Sequence, residues 1–203
     1  MSKVAVKGFW AEFQKHAEAL RRSHSADTQV YDHLLEQLQK IGEGLFLVFS
    51  SGPGEAELII TAEGDAALFP LVESVVQDAP AVPGWKIFAL KPQRGFPETA
   101  RWEGYEVAIE DVMFQPLESE SGGLGLQLLI PGLTPEREDD AHNALLRALD
   151  HGLGERQFAE AIAHTEVAAL TGPADEYIPL ADLEQFIEWR RRSSSGAGGS
   201  GAG

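Results

Sequence analysis

The apolar residues of this chain fall into runs of two different periods. Leu45-Phe46-Leu47-Val48-Phe49 and Leu58-Ile59-Ile60-Thr61 are short β-rich runs closed by Gly52-Pro53-Gly54 and Gly64-Asp65, and Trp85 to Leu90 is a third. Runs of β-branched and aromatic residues bounded by glycine and proline predict strands. Between the second and third, Phe69 to Gln77 predicts a helix with Leu68, Val72, Val75 and Val76 toward the sheet, and Pro70 fits only its first turn. Residues 45–91 thus read as strand, tight turn, strand, helix, strand, and the rest of the chain is organised around them.

Before this stretch the period is helical. Phe9, Trp10, Phe13, Ala17 and Leu20 share one stripe of a helix from about Gly8 to Arg22. Ser23 to Ala26 form a connector, and Asp27 is placed as N-cap of a second helix. That helix carries Val30, Tyr31, Leu34, Leu35, Leu38 and Ile41 on one side and ends at Gly42 and Gly44.

After residue 91 the short strands resume. Thr99 to Trp102 and Tyr105 to Ile109 flank a Glu103-Gly104 turn, and Val112 to Leu117 and Leu124 to Ile130 flank Gly122-Gly123. Connections this short favour antiparallel neighbours. Thr134-Pro135-Glu136 opens a helix that buries Ala141, Leu145, Leu146 and Leu149, with Gly152 at the left-handed cap. Glu155 to Ile162 is a short helix, Thr165 to Leu170 a strand, and Leu180 to Arg191 a last helix burying Leu183, Phe186 and Ile187. The fold expected is α/β of the α+β type: a mainly antiparallel sheet of about six to seven strands with helices packed on it. It forms one globular domain over residues 1–192. Residues 193–203 hold nothing larger than alanine to bury and read as a flexible Gly/Ser/Ala tail.

Charge narrows the partners. Sixteen Lys and Arg stand against 32 Asp and Glu, a formal net charge of −16. Such a surface repels nucleic-acid phosphates and anionic membranes. It serves solubility, or it attracts a partner with a basic face. The chain has no cysteine, which excludes disulfides and thiolate metal sites. No apolar run approaches the roughly 20 residues of a membrane-spanning helix, and no signal-peptide pattern opens the sequence. A soluble, cytoplasmic protein is expected.

Candidate chemistry is sparse. Asp139, Asp140, His142, Asp150, His151 and Glu155 lie on or beside one helix, and His142, Asp150, His151 and Glu155 are the candidates for catalysis. His151 and Glu155 would meet on a continuous helix as metal ligands or an acid/base pair. Gly152 and Gly154 interrupt that helix, and the alternative is capping with a salt link from Glu155. The paired-histidine zinc motif, the Gly-x-Ser-x-Gly elbow, phosphate loops and dinucleotide fingerprints are all absent. No metal or cofactor is expected. Lys86, Lys91, Arg94 and Arg101 could hold an anionic ligand at the end of the sheet, or they offset nearby carboxylates. The four tryptophans lie in separate elements and read as core or edge packing.

Two sets of motifs bear a resemblance. Leu58-Ile59-Ile60-Thr61-Ala62-x-Gly64, Phe69-Pro70-Leu71-Val72, Ala79-Pro80 and Gly84-Trp85, with the later Leu149-Asp150-x-x-Leu153-Gly154-Glu155, resemble an uncharacterised bacterial family known as a domain of unknown function. The resemblance spans most of residues 8–190 and implies an α/β fold, with no activity and no functional residues to transfer. Two function classes follow. One is a non-enzymatic binding or regulatory protein that engages a protein partner through its acidic surface or a sheet edge, for example as an immunity or inhibitor protein. The other is a small metal-dependent or acid/base hydrolase built on the His/carboxylate cluster. The lack of a catalytic motif favours the first.

Overall fold

The structure, a computed structural model, describes residues 2–22, 28–50, 54–118 and 123–196. The Asp27 cap, the Ser23 to Ala26 connector, Gly52-Pro53 and Gly122 lie outside the described residues. Within them the chain divides into two compact units, residues 1–92 with 154–159 and residues 93–153 with 160–203.

The first unit contains α1 (Lys3–Arg22), α2 (Thr28–Gln39), β1 (Phe46–Ser50), β2 (Ala56–Thr61), α3 (Phe69–Gln77) and β3 (Trp85–Ala89). The helix-period stripe of α1 is buried from Val6 to Leu20, and the helix begins earlier than Gly8. β1 and β2 are antiparallel, whereas β3 runs parallel to β2 because α3 carries the chain back across the sheet. Pro70 sits in the first turn of α3, where its missing amide costs nothing. Phe9, Phe13, Leu34, Leu38, Leu58, Ile60, Val72 and Val75 form a core with under 3% exposure. Its two tryptophans satisfy their indoles on backbone: Trp10 Nε1 donates to the Val75 carbonyl (3.0 Å) and Trp85 Nε1 to that of Ala17 (3.1 Å).

The second unit holds β4 (Thr99–Trp102), β5 (Tyr105–Ala108), β6 (Met113–Glu118), β7 (Leu124–Ile130), α4 (Glu138–Leu153), β8 (Ile162–Ala169), β9 (Ile178–Pro179) and α6 (Leu183–Gly196). The short α5 (Glu155–Ala161) begins in the first unit and ends in the second. The β4–β5 hairpin turns on Glu103 (φ 42) and Gly104 (φ 80) and packs on α4. The four-stranded sheet has the order β8-β7-β6-β9, with β7 and β8 parallel and the other pairs antiparallel.

One continuous sheet of six to seven strands is therefore not formed. Among the described residues, strands group as sheets of three, two and four. The break after β3 has a local cause. Leu90 takes φ 66 and Pro92 has no amide to extend a ladder, so strand β3 stops there. The mixed helix-and-sheet class stands, and four of the six described strand pairs are antiparallel; the single layer does not form, and both larger sheets contain a parallel pair joined through helix.

Two further expectations change. Gly152 is helical rather than a left-handed cap; that position belongs to Gly154 (φ 75). Gly152 has a different reason: a Cβ there would lie 2.6 Å from the Phe96 ring. At the C-terminal end, α6 continues to Gly196, so the first residues of the expected tail are helical, and 197–203 lie outside the described residues. Trp189 on α6 is 57% exposed, unlike the buried Trp10 and Trp85.

Candidate functional site

Glu155 is where the two resembling motifs meet. It is 1% exposed, and the carboxylate faces the turn after β2 and the residue following Leu90. Oε1 accepts from the amides of Ala62 (3.0 Å) and Gly64 (3.1 Å). Oε2 accepts from the Thr61 hydroxyl (2.7 Å) and the Lys91 amide (3.0 Å). The Glu155 amide in turn donates to the Lys91 carbonyl at 3.0 Å. A carboxylate offers about four acceptor positions, and all are taken. This network also holds Leu90, whose amide donates to Ile60 (2.8 Å), in a left-handed conformation costing of order 1–3 kcal/mol. The partners described for Glu155 are amides and a hydroxyl rather than the cation a salt link would use; the Lys91 ammonium pairs with Glu63 at 2.8 Å.

The other members of the His/carboxylate group have separate commitments. His142 Nε2 is 2.8 Å from the Thr165 hydroxyl, half-buried on α4. His151 is exposed, with Nδ1 2.8 Å from the Gly95 carbonyl. Asp150 is half-buried on the same helix. Among the described residues no group of three His, Asp or Glu is arranged to hold a metal ion.

The four basic candidates are likewise distributed. Lys86 pairs with Glu55 (3.2 Å), Lys91 with Glu63 (2.8 Å) and Arg101 with Glu106 (3.0 Å). The Arg94 amide donates to the His151 carbonyl at 3.0 Å. Offsetting of neighbouring carboxylates accounts for the first three.

Two features escape sequence inspection. The first is an open cleft of about 590 Å³ in the second unit, lined by the β4–β5 hairpin and Arg147 of α4. Arg147 Cζ lies 5.2 Å from the Trp102 ring centre, and Arg137 Cζ lies 5.2 Å from that of Tyr105. Burial raises the Tyr105 phenol above its ordinary range, against the opposing pull of the Arg137 charge. The second is the contrast between the two edges of the four-stranded sheet. Leu180 donates to the Val112 carbonyl, which turns the even-numbered β6 residues toward β9. Pro116 therefore places its missing amide on that side, just where β9 has ended, and blunts the edge. On the opposite side, among the described residues, β8 pairs with β7 and with no other strand. Leu170 donates to Ile130, so the even-numbered β8 amides serve the ladder. Thr165, Val167 and Ala169 then point their amides and carbonyls outward.

Comparison with protein-family models, with curated proteins and with solved structures finds no match to this chain.

Proposed function

We propose that this chain is a non-enzymatic binding or regulatory protein whose partner adds a strand to the outer edge of β8. The observation that carries this reading is the difference between the edges: β6 is blunted by Pro116, while the eight residues of β8 contain neither proline nor lysine. Natural sheets protect their edges with such residues, and an unprotected edge is a template for an added strand. The acidic surface sets the chemistry of the partner. Glu166 on β8 keeps 44% side-chain exposure within a chain of net charge −16, which favours an extended segment carrying lysine or arginine on alternate positions. A cytoplasmic location and membership of the bacterial family that the motifs resemble belong to the same proposal and add no activity to it. Among the described residues no helix is long and apolar enough to cross a membrane.

The test uses a ten-residue peptide alternating lysine with valine, titrated into the protein while backbone amides are followed by NMR. The Thr165, Val167 and Ala169 amides gain protection from exchange, and affinity falls steeply with added salt. Val167→Pro removes an outward amide and abolishes binding with the fold retained; Ala168→Pro removes a ladder amide and destabilises the sheet. Binding that survives Val167→Pro, that is indifferent to salt, or that protects other amides contradicts the proposal.

A further inference from the structure

Arg147 stands apart in the cleft. Arg101, the other arginine lining the cleft, is committed to Glu106 at 3.0 Å. Among the described residues Arg147 makes no hydrogen bond or ion pair, and its described partner is the face of Trp102. Stacking fixes the plane of a guanidinium while leaving its N–H edges available, and that planar fork matches an oxyanion bidentately. The rest of the lining sets the charge of the ligand. Arg101 and Arg147 are balanced by Glu103 and Glu106, so the cleft offers one uncommitted cation and no net positive field. Glu103 and Glu106 repel a dianionic phosphate more strongly than a singly charged group, so a monoanion suits the one free fork better. Tyr105 adds a phenol that stays protonated and can donate.

We propose that this cleft binds a single carboxylate group, held bidentate by Arg147 with Trp102 behind it. The carboxylate could be carried by a small organic acid or by the C-terminus of a peptide, and the chemistry at Arg147 is the same for both. The site is separate from the β8 edge and does not depend on strand addition.

The experiment follows the Trp102 indole N–H by NMR in the full chain, with the resonance identified by its loss in Trp102→Phe. The probes are acetate, an acetylated tripeptide with a free C-terminus, the same tripeptide amidated, and inorganic phosphate. The expected result is a saturable shift with a carboxylate probe and at least about tenfold weaker binding of the amide. Arg147→Gln and Arg147→Lys each weaken binding by about tenfold or more, the lysine variant because it keeps the charge but loses the fork. Their amide spectra elsewhere serve as the control for folding. Tripeptide binding tighter than acetate assigns a peptide terminus; equal binding assigns a small acid. Phosphate binding tighter than either carboxylate, equal binding of the amide, no saturable shift, or unchanged affinity in both Arg147 variants overturns the proposal.

Discussion

Glu155 and Arg147 are close in sequence and opposite in charge, and the fold treats them in opposite ways. Glu155 is 1% exposed and each of its oxygens accepts two hydrogen bonds. Arg147 is exposed, stacked on Trp102, with its donors uncommitted among the described residues. A buried charge persists only when its surroundings replace water completely, and such a group has nothing left to offer a substrate. An exposed arginine already placed over an aromatic ring has surrendered part of its rotamer freedom before any ligand arrives. The first is a part of the scaffold; the second has the properties of a site.

The largest way to break this comparison is Glu155→Ala. It strips the acceptor from the amides of Ala62, Gly64 and Lys91 and from the Thr61 hydroxyl. The Thr61 hydroxyl and the Ala62 amide are buried, whereas the Gly64 and Lys91 amides can turn to water. Orphaned buried donors cost about 1–3 kcal/mol each, so the loss should reach about 3 kcal/mol, a large part of the ~5–15 kcal/mol typical of a domain. Urea unfolding followed by far-UV circular dichroism measures it. Thr61→Val sharpens the same point with a smaller step. It keeps the shape of a fully buried residue and removes one donor to the carboxylate, for an expected loss of about 1.5 kcal/mol by the same measurement.

Local pattern accounts for much of the fold. The apolar runs of β1, β2, β3 and β7 and the stripes of α1 and α4 are visible in sequence because burial on one face imposes the period. Strand direction is less legible. Between β7 and β8 the chain forms two helices before returning, and nothing in the strand residues themselves says whether they pair parallel. The Gly152 and Gly154 pair shows another limit: both glycines suit a cap, yet Gly154 takes the left-handed turn while Gly152 leaves room for Phe96, a contact remote in sequence. The candidate site was legible only in part. Glu155 stands out in sequence, yet its partners come from Thr61 to Gly64 and Lys91. Arg147 occupies the wet face of α4 and looks like any solvated charge until Trp102 is placed beneath it. Pro116 lies within the expected Val112 to Leu117 strand, but which edge it protects depends on the pairing of β6 with β9.

The most direct test compares urea unfolding of Glu155→Gln and Arg147→Gln side by side. The account predicts that Glu155→Gln, which replaces a four-fold acceptor with an amide that itself donates, lowers the midpoint by an amount equivalent to about 2 kcal/mol or more. Arg147→Gln should stay within about 0.5 kcal/mol of the parent protein. Equal losses, or a larger loss at Arg147, would contradict the division of these two charges into scaffold and site.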